Sequence, residues 1–240
     1  MIPLERKRKP VIIALNGSPN RNGNTATLMR WVADPIESRG IRVKWIDISD
    51  RDPSYCLGCH QCLKTGECVR KDATWVLVKE LMRADGIIVG SPVYEGGPTA
   101  QLKTVMDRSA LFALYADSFS KPRSVGVATS GVAPTRKVAR EISEIFGRRI
   151  ATITSKTAKL SGGYIPLSAK NNPGLKKRAK RVGLKLLDRI ERPTTIEPAG
   201  LKYLWIGFLR RIFLKRLITN NPGQFEGIIR IWKEKGWIRR

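Results

Sequence analysis

The stretch that decides the fold runs Val11-Ile12-Ile13-Ala14-Leu15-Asn16-Gly17-Ser18-Pro19-Asn20-Arg21-Asn22-Gly23-Asn24-Thr25. Its first five residues form a continuous apolar, partly β-branched run, the pattern of a strand buried on both faces. Asn16-Gly17-Ser18-Pro19 ends that run in a turn. Thr25 to Ser38 then offers helix formers with apolar residues at Leu28, Trp31, Val32 and Ile36; Pro35 is an interior irregularity and Gly40 a stop. A buried strand, a polar turn and a helix N-terminus make an anion cradle. The hydroxyls of Ser18 and Thr25, the amides of Asn20, Asn22 and Asn24, the backbone at Gly23 and the free N–H groups of the helix start can wrap a phosphate. The glycine spacing is not the three-glycine dinucleotide fingerprint, and no Gly-Lys-Ser/Thr is present for a P-loop. A monophosphate such as that of FMN fits; the alternative is an ordinary polar strand-helix turn.

Outward from this unit the pattern repeats. Ile41 to Ile48 alternates apolar and polar residues, as an edge strand does. Ala73 to Arg83 returns to helical spacing behind Asp72 as N-cap. Gly86 to Gly90, Ser124 to Thr129 and Arg149 to Thr154 read as strands; Thr99 to Asp117, Pro134 to Phe146 and Leu175 to Ile190 read as helices. Five alternations predict a doubly wound, five-stranded parallel α/β sheet, in which ligands bind at the carboxyl ends of the strands. The loops Pro92-Val93-Tyr94-Glu95-Gly96 and Thr129-Ser130-Gly131 should emerge beside the phosphate loop. They offer an apolar or aromatic wall and backbone donors for a flavin ring; Tyr94 could equally be a solvent-facing loop aromatic.

All four cysteines of the chain lie in one loop at about residues 50–72, as Cys56-x2-Cys59-x2-Cys62-x5-Cys68. Their local grouping is cofactor-like usage and not a framework of staples. Three cysteines at intervals of three, with Gly58 allowing tight turns and the fourth beyond Gly66, suit an iron-sulfur cluster. A structural zinc, with His60 as an alternative ligand, and metal-free redox thiols are the competing readings.

In combination these motifs resemble the iron-sulfur flavoprotein branch of the NADPH-dependent FMN reductase family. The resemblance rests on Leu15 to Pro19 with Gly23-Asn24-Thr25, the cysteine spacing, Ser91-Pro92-Val93-Tyr94, Gln101-Leu102-Lys103 and Asp107-Arg108. It implies a flavodoxin-like fold, bound FMN, a four-iron (4Fe-4S) cluster on Cys56, Cys59, Cys62 and Cys68, and dimers or tetramers. By the same likeness Ser18, Asn20, Asn24 and Thr25 hold the phosphate, while Pro92 to Gly96 with Ser130 and Gly131 hold the ring. Asp72-Ala73 departs from the two acidic residues of many relatives.

The 240 residues divide into a domain over 1–192 and a basic helical extension over 193–240, with a linker at Pro193 to Pro198. In the extension, two helices are expected on either side of Asn221-Pro222-Gly223. Leu201, Leu204, Trp205, Phe208 and Ile212 share one helical face, yet Ile206, Phe213, Leu214 and Leu217 point elsewhere. Trp205, Phe208, Phe213, Phe225, Trp232 and Trp237 would overload a lone monomer with exposed apolar surface, so a subunit contact is expected, with a membrane-surface contact as the second choice. The net charge is +25, with 17 basic and 13 acidic residues over 1–119 but 28 and 7 over 120–240. Such a field suits an acidic redox partner such as ferredoxin; no nucleic-acid module is recognisable. No signal-peptide core or membrane span is read, and reduced thiols place the chain in the cytoplasm.

With a single histidine in the chain, acid-base or triad catalysis has few candidates. The expected function is an FMN-dependent oxidoreductase passing electrons from NAD(P)H or ferredoxin to a small acceptor such as a quinone, dioxygen or peroxide. The alternatives are a non-enzymatic electron relay for an acidic partner, and an FMN/quinone reductase whose cysteines hold zinc or no metal.

Overall fold

A computed structural model describes residues 8–157, 163, 165–168, 170–192, 208 and 212–238. The first strand, β1 (Ile12–Asn16), has every residue buried, as its unbroken apolar run requires. It is followed by α1 (Asn24–Glu37), β2 (Val43–Asp47), α2 (Gln61–Thr65), α3 (Ala73–Arg83), β3 (Gly86–Pro92), α4 (Ala100–Tyr115), β4 (Arg123–Ser130), α5 (Thr135–Ile145), β5 (Arg148–Lys156) and α6 (Pro173–Glu191). Two further helices follow, α7 (212–220) and α8 (Glu226–Glu234).

The five strands lie parallel in the order β2-β1-β3-β4-β5. The flavodoxin-like sheet is therefore the one expected, and β2 occupies an edge; its burial does not alternate as its sequence suggests, because Val43 and Ile46 are buried in the cores on opposite faces while Lys44 is exposed. On one face Leu77, Val78 and Leu81 of α3, Val105 and Phe112 of α4 and Ile142 of α5 cover Ile13, Leu15, Ile87 and Val89. On the other, Leu28, Val32 and Ile36 of α1 and Leu186 and Leu187 of α6 cover Ile12, Ala14 and Ile88. Each such buried aliphatic side chain contributes about 2 kcal/mol. The chain leaves β1 for β2 on one side, then crosses to β3 on the other. The carboxyl ends of β1 and β3 thus flank the topological switch point, where an open α/β sheet leaves a crevice.

β3, β4 and β5 exceed the expected ranges by one or two residues at an end, because pairing continues into Ser91-Pro92, Ser130 and Lys156, whereas β1 is shifted by one residue and β2, expected over Ile41 to Ile48, is confined to Val43–Asp47. Pro35 sits inside the last turns of α1 without ending it. The short α2 was not expected. The tail helices meet at Asn221-Pro222, as their sequence predicts, but their burial corrects the expectation for two aromatics. Phe225 and Trp232 are buried with Ile218 and Ile228 against Leu63 and Ala116 of the same chain. Phe208, Ile212 and Phe213 stay exposed. The linker and Trp205 lie outside the described residues. No helix among the described residues is long and apolar enough to cross a membrane.

At the opposite end of the sheet from the switch point, Asp85 gathers several partners. It accepts two bonds from Arg8 (2.7 and 2.8 Å), one from the Val11 N–H (2.9 Å) and an ion pair from Lys121 (3.0 Å). Burial alone would raise its carboxyl, but these donors outweigh burial and hold it at about 2. The group titrates near 3.8 when unfolded. Its stabilisation is therefore complete above that value and lost as pH falls through about 2. Allowing for solvent screening of the exposed Arg8 and Lys121, the loss is about 1–2 kcal/mol. Chemical denaturation from pH 5 to pH 2 should show this acid-linked loss in the wild type and a smaller one in Asp85→Asn.

Candidate functional site

Two glycines bring the loops of the crevice together. The Gly17 N–H donates to the Gly90 carbonyl at 2.7 Å. A Cβ on Gly17 would lie 2.9 Å from that carbonyl oxygen, and one on Gly90 2.2 Å from Met29 Sδ, so neither position has room for a side chain. Thr99 Oγ1 and Gln101 Nε2 both donate to the Gly17 carbonyl (2.6 and 2.9 Å), and the Thr99 N–H donates to Ser91 Oγ (3.0 Å). Gln101, quoted above only as part of a motif, thus buttresses the β1 loop.

The loop itself is a series of side-chain-braced turns. Asn16 Oδ1 accepts from the Ser18 N–H, Ser18 Oγ from the Asn20 N–H, and Asn20 Oδ1 from the Asn22 N–H, each at 3.1 Å. The N-cap of α1 is Gly23, with no side chain to cap the helix. The first-turn N–H groups are thus left for an anion, which is the property a phosphate site needs. Asn22 Oδ1 accepts from Arg30 Nη2 at 3.0 Å, and Arg21 pairs with Asp50. Both arginines add positive charge beside the loop. Sequence reasoning missed Arg30, whose place on α1 shows only in three dimensions.

The neighbouring loops are tied to this one. Thr25 Oγ1 and Thr129 Oγ1 are hydrogen-bonded at 2.7 Å, and the Val93 N–H donates to the Thr129 carbonyl at 2.8 Å. Tyr94 and Gly97 exchange backbone bonds across a two-residue turn in which Glu95 and Gly96 both have left-handed φ (46° and 73°). Tyr94 and Glu95 are exposed at its tip beside Pro92. Ser130 Oγ closes the next turn onto the Ala133 carbonyl, leading out of β4 at Gly131. Asn24 is differently engaged: its Nδ2 donates to the Ile165 carbonyl and its Oδ1 accepts from the Leu167 N–H, fastening that segment to α1. Its backbone, not its amide, is the part left facing the loop.

A second centre lies in the loop between β2 and α3. Cys56, Cys59, Cys62 and Cys68 line one cavity of about 230 Å³ together with Leu57, Arg108 and Phe112. All four are free thiols. Gly58, His60 and Gly66 take left-handed φ (64°, 57° and 76°), turning the chain between cysteines. His60 is exposed. Among the described residues no three Cys, His, Asp or Glu side chains converge closely enough for one metal ion. A single zinc draws its thiolates to about 2.3 Å. Four free thiols lining one cavity are the donor set that either a zinc ion or an iron-sulfur cluster takes.

Arg108 organises the loop. Its side chain is 1% exposed. It donates to the Ser54 and Arg70 carbonyls (3.1 and 2.8 Å), to Asp72 Oδ2 (2.8 Å) and to Cys68 Sγ (3.2 Å). One buried cation thus grips both ends of the cysteine loop and one thiol. Asp72 also caps α3 through the Trp75 N–H at 3.0 Å. Although burial opposes it, the bonds from Arg108 and Trp75 hold the Asp72 carboxyl down at about 2. This one acid therefore both caps the helix and pairs with the arginine. Burial, followed by the charges of Cys68, Cys56 and Cys59, pushes the Cys62 thiol up to about 11.

These two centres on a β2-β1-β3-β4-β5 parallel sheet define a flavodoxin-like redox protein. Residues 10–162 match the description of the NADPH-dependent FMN reductase family, and the chain belongs to it. Its curated relatives place it in the iron-sulfur flavoprotein branch. It is 29% identical over 240 residues to an iron-sulfur flavoprotein of Clostridioides difficile, covering 95% of this chain and 100% of that one. An iron-sulfur flavoprotein of Methanocaldococcus jannaschii is 43% identical over 98 residues, 41% of this chain and 51% of the relative, so that match spans only about half the relative's length. Among solved structures the chain is similar to a flavone reductase (TM-score 0.57, 14% identity, 79% of this chain and 67% of that one). It is also similar to the NAD(P)H:quinone oxidoreductase from Methanothermobacter marburgensis (TM-score 0.54, 14% identity, 75% and 96%). At such identities the structures speak for the fold alone.

Replacing Arg108 by Met would leave two loop carbonyls without their donor and take from Asp72 its nearest cation, leaving it the Trp75 N–H and the 3.6 Å Arg70 contact. The cost should be about 3 kcal/mol, read as a lowered urea midpoint with unchanged slope.

Proposed function

We propose that this chain is an FMN-dependent oxidoreductase that passes electrons from NAD(P)H or a ferredoxin to a small acceptor such as a quinone, dioxygen or peroxide, with a four-iron cluster on Cys56, Cys59, Cys62 and Cys68. The observation that carries the reading is the pairing, in one chain of this family, of an uncapped helix start at the β1/β3 switch point with four thiols around one cavity. When bound, FMN supplies exchange between single electrons and electron pairs, and the cluster supplies single-electron storage.

The chain's own part is binding and orientation. Ser18 and Thr25, with the free N–H groups of the α1 start at Asn24 to Ala26, hold the phosphate above the turns braced at Asn20, Asn22 and Gly23. Pro92, Val93 and Tyr94 wall the ring, and backbone groups at Glu95, Gly96, Thr129, Ser130 and Gly131 face its polar edge. The net two-electron reaction takes NADPH, a proton and a quinone to NADP⁺ and a hydroquinone. The exposed Tyr55, Leu57 and Val69 around the cysteine cavity support a homo-oligomer that covers this rim. A second reading, a relay for an acidic redox protein, draws on the exposed Lys177, Arg178, Lys180, Arg181 and Lys185 of α6.

Anaerobically purified protein should contain FMN, iron and acid-labile sulfide, and should oxidise NADPH in the presence of a soluble quinone. Zinc without sulfide would rule out the cluster, and turnover only with an added acidic protein would favour the relay. Ser18→Ala/Thr25→Ala should weaken FMN by about 1–3 kcal/mol in a fluorescence titration; unchanged affinity would exclude this phosphate site.

A further inference from the structure

The tail helix α8 packs on the element that carries Cys62. Leu63, the residue after it, is buried in a cluster with Phe225, Ile228 and Trp232. At the end of α2 the approach becomes backbone against backbone. A Cβ on Gly227 would lie 2.0 Å from the Gly66 nitrogen and 2.5 Å from the Thr65 carbonyl carbon. Gly66 is the left-handed C-cap of α2 and donates its N–H to the Cys62 carbonyl at 3.0 Å. One turn along α8 from Gly227, Arg230 Nη2 donates to the Thr65 carbonyl at 2.6 Å. Arg230 also lines a second cavity, of about 300 Å³, with Thr65, Glu67, Lys71 and the fourth cysteine, Cys68.

The same helix braces the other side of the cysteine cavity. Trp232 Nε1 donates to the Tyr115 carbonyl and Lys235 Nζ to the Ala116 carbonyl, both at 2.7 Å. These carbonyls end α4, the helix from which Arg108 bonds Cys68. Terminal carbonyls have no partner within their own helix, so outside donors fix where the helix stops. A nine-residue helix thus contacts both supports of the cysteines: α2 under Cys62 and α4 behind Cys68.

We propose that α8 is the holder of the cysteine loop, with Gly227 and Arg230 as positioning residues for an iron-sulfur cluster. Gly227 is the small residue that allows α8 to touch the α2 C-cap, and Arg230 locks that contact through the last carbonyl of α2. The inference rests on the cluster reading above and extends it to the tail. The FMN crevice is built from β1, β3, β4 and α1, and α8 does not enter it.

The test compares the full-length wild type with Gly227→Val, Arg230→Ala and Arg230→Lys, and with Gly223→Ala as a control at an open position. Iron, acid-labile sulfide and FMN are counted per chain after anaerobic reconstitution, and iron loss is followed under a chelator. Gly227→Val and Arg230→Ala should keep FMN and lose iron about tenfold faster, as expected when support around metal ligands is removed. Arg230→Lys should recover part of the difference, and Gly223→Ala should match the wild type. Wild-type iron retention in both Gly227→Val and Arg230→Ala, or parallel loss of FMN and iron in both, overturns the holder role. A wild type that binds FMN but neither iron nor sulfide overturns the cluster reading itself.

Discussion

The contact between Gly17 and Gly90 is the constraint on which the crevice depends. A parallel sheet that reverses direction at its switch point leaves two strand ends side by side, but their loops meet only if the backbones can come into direct contact. Here a 2.7 Å backbone bond joins them, with Leu102 and Met29 filling the space a Cβ would need. Thr99 and Gln101 then bond the Gly17 carbonyl, and Thr25 joins Thr129 across the same opening. The loops from three strands are therefore one rigid hydrogen-bonded body. That rigidity lets α1 present uncapped N–H groups at a fixed place, since a loop free to fold back would cap the helix itself.

The cysteine loop has the opposite problem. It contains little regular structure, so its shape must come from outside it. Arg108 supplies part of that shape by binding backbone at both ends of the loop, and its burial makes the arrangement selective, because an unpaired guanidinium there would carry a large desolvation cost. Asp72 balances the charge while capping α3. The neighbouring α8 supplies the rest through Leu63 and the α2 C-cap. Two helices from distant parts of the sequence converge on a loop that could not hold itself.

Within the tail, the buried face lies mainly on and just before α8. Phe225, Ile228 and Trp232 are spaced three and four apart and form one buried stripe just before and along α8. The chain break at Asn221-Pro222 separates this stripe from α7, where Ile218 is buried and Ile212 and Phe213 are exposed. The apolar residues that scatter around the wheel, 201 to 217, all precede that point, and of the described ones Phe208, Ile212, Phe213 and Leu217 are exposed.

Local chemistry by itself determined the alternation of strands and helices, the buried character of β1, the edge position of β2, and the polar turn after Asn16 that opens into an uncapped helix start. Each depends on residue order within about a dozen positions, where apolar periodicity and turn residues act directly. The grouping of the four cysteines was equally legible, because their spacing is a local fact. Tertiary structure alone decided what those local signals could not contain: that Arg108 reaches Ser54, Arg70 and Cys68 at once, that Asn24 fastens residues 165 and 167, and that Gly227 meets Gly66. Contacts between residues 38 to 165 positions apart are set by how helices pack on a finished sheet, and no pattern along the chain encodes which pairs will touch.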